Sequence, residues 1–254
     1  MMVSKIKPAF NKGTDTLIKE WDDIVSLRLK QISSHTDLSF DNVVLPTIEK
    51  LLTNYFVDKI IDIGCGCGCL ASMLKKYAST VHGVDFSKKS IALCKDRFNA
   101  LHEVSFLNYN IEQPAPKEMK EFYDLAIGNM LLMTIKDLVN ASQFIHAVLK
   151  EKSTFIASIT HPAFWPRYWG YEHENWFSYW DEIPIEAPFN ITKQKSNFIS
   201  THYHRPIEMY LQVFSDAGFK LKQIVEPKSF GGQNLTIYTS TPKFLFFIWE
   251  KRHV

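Results

Sequence analysis

The chain has 254 residues, 46% of them apolar and 22% charged, with a formal net charge of +2. This is enough for one α/β domain with an insertion, and the composition excludes disordered and collagen-like classes. A near-neutral balance without a concentrated Lys/Arg run provides no evident nucleic-acid groove, so no nucleic-acid partner is expected.

Residues 1–8, M-M-V-S-K-I-K-P, carry no apolar core of signal-peptide length, and no window reaches transmembrane length. A cytoplasmic protein without membrane contact is expected. Residues 1–13 read as a frayed leader. Leu17, Trp21, Ile24, Val25 and Leu29 then recur at helical spacing, which predicts an amphipathic helix over 14–32. A second apolar stripe follows at Val43, Val44, Ile48, Leu51 and Leu52. These helices set residues 1–57 apart as a helical leader or lid, with the main domain over 58–254. Trp21 is either a lid contact or a core anchor.

The β-branched run from Ile60 to Ile63 predicts a buried parallel strand, and it stops at Gly64, Gly66 and Gly68 just before a helical pattern over 70–77. Strand, glycine loop and helix make a nucleotide site, because the backbone must turn tightly and admit a ligand where a Cβ would collide. A dinucleotide fingerprint would run G-x-G-x-x-G/A, but its third position here is Cys69. Asp62 lies inside the strand end, where it repels a pyrophosphate and favours a cation. The next strand, T-V-H-G-V-D, ends at Asp85, about 20 residues beyond the loop and placed to accept both ribose hydroxyls. Adenosine carrying a positive charge suits both acids.

All four cysteines, Cys65, Cys67, Cys69 and Cys94, fall in this α/β unit. C-x-C-x-C is not the C-x-x-C spacing of metal sites, so no metal is expected and the thiols read as small residues filling a tight turn. Free thiols suit a reducing compartment.

Farther along, a helix over 87–99 is predicted with Ser87 as N-cap, then a strand over 104–109 and another over 122–128 that ends at Asn129. Asn129 is either a ligand contact at the carboxyl end of that strand or a turn cap. A helix over 135–150 and a strand over 153–159 lead to Thr160-His161-Pro162. Residues 163–200 then hold four of the six tryptophans, a density that suggests a lid lining a pocket or an oligomer interface. A helix over 206–217, ended by Gly218, and two strands, 219–225 and 244–250, close the chain as an antiparallel pair. A long loop containing Gly231 and Gly232 joins them.

I-D-I-G-C-G-C-G, H-G-V-D-F-S and F-Y-D-L-A-I-G-N-M-L-L-M, with I-T-H-P-A-F and Y-H-R-P-I-E-M-Y after them, resemble the motifs of class I S-adenosylmethionine-dependent methyltransferases, closest to the small-molecule group labelled type 11. The resemblance runs from about residue 41 onward. It implies a Rossmann-like, mostly parallel α/β sheet of seven strands with the last antiparallel, helices on both faces and a lid insertion. It implies S-adenosylmethionine as cofactor, Asp62 on the methionyl ammonium, Gly64, Gly66 and Gly68 along its backbone, and Asp85 on the ribose. Phe86 and Ile111 would flank the adenine, and Asn110 stands where family members commonly carry an acid for the adenine amino group; its amide oxygen can still accept that hydrogen bond. N-M-L-L after the fourth strand replaces the N-P-P-Y of enzymes acting on DNA base amino groups.

A sulfonium methyl is already activated, so such an enzyme needs chiefly to position an acceptor, exclude water and, where required, remove a proton. His161 is the first candidate base, or a structural histidine near the cleft; His204 and His202 come second. Arg205 is a possible clamp for an acidic substrate, or part of a tie holding the lid. The expected activity is methyl transfer to an oxygen or nitrogen of a small metabolite. A nicotinamide-dependent oxidoreductase and a catalytically silent partner-binding subunit are the alternatives.

Overall fold

A computed structural model describes residues 6–191, 194–228 and 240–252. In chain order the strands are β1 (Lys7–Pro8), β2 (Val57–Ile63), β3 (Ala78–Asp85), β4 (Val104–Asn108), β5 (Tyr123–Asn129), β6 (Leu149–Thr160), β7 (Ile183–Pro188), β8 (Ile199–His204), β9 (Phe219–Val225) and β10 (Phe244–Lys251). The α-helices are α1 (Thr14–Ser33), α2 (Leu45–Leu52), α3 (Ala71–Leu74), α4 (Lys88–Arg97), α5 (Leu138–Val148), α6 (Trp165–Trp169) and α7 (Ile207–Asp216).

Seven strands form one sheet in the order β4-β3-β2-β5-β6-β10-β9. β2 to β6 are parallel, and β10 enters antiparallel between β6 and β9. The central strands read as continuous apolar runs because both faces are covered. Ile61, Val84, Ala126, Phe155, Phe247 and Trp249 share one core with α5 and α7. Ile60, Val81, Val104, Leu125, Ile156 and Phe246 share the other with α2, α3 and α4. Phe214, Trp249 and Phe155 stack in series, with ring centroids 4.3 and 5.6 Å apart.

The aromatic segment contains α6 and β7, and β7 pairs with β8 in a hairpin that forms a second, antiparallel sheet with β1. α1 packs against β8 and α4 and so bridges the two sheets. Three expectations change. The leader is anchored where described: Lys7 and Pro8 pair with Glu186 and Ile185, and the Lys12 ammonium contacts Glu20 and Glu186. The pairing strand lies far downstream, so no local pattern announces it. The helix expected over 70–77 is only Ala71–Leu74, because Lys76 and Tyr77 close three-residue turns onto Met73 and Leu74 before β3 begins at Ala78. The helix over 135–150 starts later, at Leu138, where the Asp137 side chain accepts from the Asn140 amide. It ends at Val148, and β6 takes over at Leu149. Gly231 and Gly232 lie outside the described residues. No described helix is long and apolar enough to cross a membrane.

Candidate functional site

The glycine loop hangs from β3: the Gly64 and Cys65 amides donate to the Val84 carbonyl at 2.8 and 3.1 Å. Its three glycines have left-handed φ of 69°, 52° and 70°, yet each serves a different need. A Cβ on Gly64 would lie 2.5 Å from Leu131 in the turn after β5, and one on Gly68 would lie 3.0 Å from Cys94 and Phe98 beneath α4. Gly66 has no heavy atom within 4 Å of its Cβ position, so it borders open space.

Two acids frame that space. Asp62 is 2% exposed, and no hydrogen bond among the described residues reaches its carboxyl. Burial, reinforced by the nearby Asp85 and Cys67, pushes its pKa up to about 8. A carboxyl held this way lacks a cation. Asp85 is better satisfied: its Oδ2 accepts from the Gly66 amide at 2.9 Å and its Oδ1 from the Ser87 amide at 2.8 Å. Burial still raises it to about 6 against the pull of those two amides.

The adenine candidates lie next to Asp85. Asn108 Nδ2 donates to the Asp85 and Phe86 carbonyls at 2.9 Å each, which fixes the half-buried Phe86. Ile111 is buried in the core, and Asn110 Oδ1 already accepts from the Glu112 amide at 3.0 Å. At the end of β5, the Ser158 hydroxyl donates to Asn129 Oδ1 at 2.8 Å and accepts from the Met130 amide at 2.9 Å. Those bonds hold Met130 at φ 53°, a left-handed conformation costly for a side chain of its size, at the edge where open α/β sheets place ligands.

The aromatic segment encloses a cavity of about 10 Å³, room for one water, between Met133, Thr160, Trp165, Tyr171, His202 and Tyr210. His161, between the lining residues Thr160 and Pro162 but not itself in the lining, has both ring nitrogens engaged: Nε2 lies 2.8 Å from Glu226 Oε1, and Nδ1 accepts from the Ala163 amide at 3.2 Å. Burial lowers its pKa, against the raising pull of Glu226. His204 Nε2 donates to the Tyr179 carbonyl at 3.0 Å, leaving Nδ1 for a proton. Burial, with His204 beside it, drives His202 down to about 3.

Arg205 is not free to clamp a substrate. Its Nε donates to Glu182 at 2.6 Å, and its two terminal nitrogens donate to the carbonyls of Leu132, Ile135 and Lys136 at 3.0, 2.8 and 3.1 Å. The guanidinium therefore ties the hairpin to the turn after β5, and its side chain has no exposed surface.

Of α1, sequence reasoning singled out Trp21 but missed Asp22 and Arg28. Asp22 accepts from the Ser87 hydroxyl at 2.5 Å, one residue from Phe86 and two from Asp85. Arg28 lies close enough to Cys67 to favour its thiolate, together with Arg97. Trp21 packs edge-on against Phe189 at 6.0 Å, which joins α1 to the hairpin. Among the described residues no group of three or more His, Cys, Asp or Glu side chains is placed to hold a metal.

Asp62, without a hydrogen-bond partner among the described residues, Asp85, held by two backbone amides, and the open face of Gly66 fit S-adenosylmethionine, whose sulfonium would supply an activated methyl when bound. Comparison with known proteins agrees. A ubiquinone biosynthesis O-methyltransferase of Shewanella sp. (strain ANA-3) is 27% identical over 92 residues, covering 35% of this chain and 38% of its own length. The match thus spans well under half of that relative. The structure of an S-adenosylmethionine-dependent methyltransferase from Mesorhizobium loti aligns with TM-score 0.60 at 19% identity, over 81% of this chain and 96% of that one. The [4+2]-cyclase SpnF shares the fold at TM-score 0.55 and 13% identity, over 82% of this chain and 81% of its own. The sequence profile described as "Methyltransferase domain" matches residues 57–204, more than half of the chain. This protein belongs to the class I S-adenosylmethionine-dependent methyltransferases.

Proposed function

We propose that the chain transfers the methyl group of S-adenosylmethionine to an oxygen or nitrogen of a small, uncharged, partly aromatic acceptor held under the hairpin lid. The observation carrying this reading is Asp62, a buried carboxyl beside the glycine loop with no hydrogen-bond partner among the described residues. In this reading Asp62 receives the methionyl ammonium, Gly64, Gly66 and Gly68 pass the cofactor backbone, and Asp85 takes the ribose hydroxyls. Phe86 and Ile111 border the adenine, with Asn110 at its amino group, and Asn129 sits at the reacting edge.

The lid supports an uncharged acceptor. Burial keeps His202 and His204 neutral, and Arg205 is already matched by Glu182 and three carbonyls. A carboxylate would find no unmatched cation there. The name of the Shewanella relative, an O-methyltransferase, favours oxygen over nitrogen. His204, with Nδ1 open, or His161, once its Ala163 bond opens, would take the acceptor proton.

The cavity has room for only one water, so the hairpin must shift to admit an acceptor. The shared fold of a [4+2]-cyclase favours a second reading, in which the chain binds the cofactor without transferring its methyl, since fold does not fix reaction. Formation of S-adenosylhomocysteine across a panel of neutral and acidic hydroxylated aromatics separates the two. Turnover confined to neutral acceptors is expected. Tight NAD binding with no response to S-adenosylmethionine would overturn both readings.

A further inference from the structure

A cleft of about 410 Å³ lies against β2, β3 and β4 and shares no residue with the cavity under the hairpin. It exists because the sheet is covered unevenly. α2, α3 and α4 close one face of these strands, while on the other face α5 and α7 pack against β6 and β9. What remains for β2, β3 and β4 is the connection from β4 to β5, residues 109–122, which holds a single three-residue helical turn, Lys117–Met119. A parallel sheet is ordinarily covered on both faces, so this opening is a departure that calls for an occupant.

The floor of the cleft follows from strand register. His82 pairs with Ile61 on β2 and Ser105 on β4, and Val84 pairs with Leu107, so all five side chains share one face. Gly83 faces the other way, where a Cβ would meet Phe106 and Cys65. Ile61 and Val84 are buried, and Leu107, 44% exposed, stands at the mouth. Met119 and Phe122, from the connection, supply a further wall.

One polar pair is set into this lining. The Tyr123 hydroxyl lies 2.8 Å from His82 Nδ1. Burial pushes the Tyr123 pKa up to about 12 and lowers that of His82, which the Lys59 ammonium lowers further. The phenol therefore keeps its proton and donates it to Nδ1, which leaves the ring hydrogen on Nε2. Neither that nitrogen nor the Ser105 hydroxyl makes a hydrogen bond among the described residues. The lining holds no cation, and its one carboxylate, Glu118, stands in solvent. Lys59, 4.6 Å from the centre of the Phe122 ring, is matched by Asp58 at 2.9 Å. An anion would find no counter-charge here, and an ammonium would have to leave water for hydrocarbon.

We infer that this cleft is a second ligand site, which takes an uncharged, flat aromatic molecule carrying a hydrogen-bond-accepting oxygen. The oxygen receives the His82 Nε2 hydrogen, and the rings lie between Phe122 and the floor of Ile61, Val84 and Leu107. A cavity of about 150 Å³ holds benzene, so this volume suits a molecule of roughly two or three fused rings. The inference does not rest on methyl transfer, because none of the cofactor or acceptor residues lines the cleft.

The test uses the full chain and prodan, a neutral naphthyl ketone whose emission moves to the blue when it leaves water. Titration should give the same saturable blue shift, one probe per chain, with S-adenosylhomocysteine absent or in excess. Leu107→Trp fills the mouth and should weaken binding by roughly tenfold or more. His82→Phe keeps a flat ring but removes the donor, and should weaken it about fivefold, the worth of one neutral hydrogen bond. Naphthoate, an anion of similar size, should compete at least roughly tenfold less well. Amide exchange of the wild-type chain needs no variant: bound probe should slow exchange in 104–108 and 117–123 and leave 165–188 unchanged. Absence of saturable binding, unchanged affinity in either variant, displacement by S-adenosylhomocysteine, equal competition by naphthoate, or protection in 165–188 instead overturns the proposal.

Discussion

Asp22 and Ser87, on elements far apart in sequence, meet at 2.5 Å and fasten α1 to the N-terminus of α4. The Ser87 hydroxyl is shared: it donates to Asp22 and accepts from the Ser90 amide at 3.0 Å, while the Ser87 amide donates to Asp85. Asp22 also accepts from the Lys89 amide at 3.2 Å, the position where a helix N-terminus favours an anion. Asp22→Ala should leave the cap of α4 intact and release α1. A charge-assisted hydrogen bond of this kind is worth about 1.5 to 3 kcal/mol, so amide exchange in 14–33 should accelerate by roughly ten- to a hundredfold. Exchange at the wild-type rate would mean that α1 is held elsewhere.

Asp62→Asn should raise stability and weaken cofactor binding together. The ligand-free fold holds a proton on Asp62 that the unfolded chain has lost at neutral pH, a cost that an amide does not carry. The variant should gain on the order of 2 to 4 kcal/mol at pH 7 in urea unfolding, and less near pH 4, where the unfolded carboxyl is itself protonated. S-adenosylmethionine affinity should fall by about a hundredfold or more. A variant less stable than wild type at pH 7 would show that the carboxyl is not isolated.

The same acid sets a pH dependence for binding. Its folded pKa of about 8 lies above the ordinary 3.8, so the carboxylate that attracts a cation is present above pH 8 and is lost as pH falls below it. Affinity should therefore decline through neutrality, with a second loss below about 6 as Asp85 takes up a proton. Calorimetric titrations from pH 5.5 to 9 should show both inflections in wild type and only the lower one in Asp62→Asn.

The readable parts of the sequence were those where the cause is local. β2 announces itself because the Ile60 to Ile63 end of the strand, buried on both faces, is almost continuously apolar, and Gly64, Gly66 and Gly68 because few other residues accept their backbone. The hairpin was hidden for the opposite reason. β8, I-S-T-H-Y-H, buries Ser200, Thr201, His202 and His204, so it offers no apolar alternation, and β7 carries two prolines that argue against a strand. Asp22 looks like any surface acid of α1 until Ser87 is brought against it.

The glycines of the loop should separate by function. Gly68→Ala meets Cys94 and Phe98 at 3.0 Å as well as an unfavourable φ, so it should cost stability, about 1 to 3 kcal/mol. Gly66→Ala pays for φ alone, about 1 kcal/mol, but directs its methyl into the open space beside Asp85. Thermal unfolding should therefore rank Gly68→Ala below Gly66→Ala. Affinity for S-adenosylhomocysteine should rank them the other way if the cofactor crosses Gly66.

Arg205→Met tests whether the hairpin depends on its tie to the β5 turn. The change keeps much of the side-chain volume but leaves the carbonyls of Leu132, Ile135 and Lys136 without their donor, along with the half-exposed Glu182. Breaking a buried ionic cluster from one side costs about 3 to 5 kcal/mol. Because none of these bonds touches Asp62 or Asp85, S-adenosylhomocysteine affinity should change less than threefold while turnover falls as the hairpin loosens. Equal losses of affinity and turnover would instead place Arg205 in support of the cofactor loop.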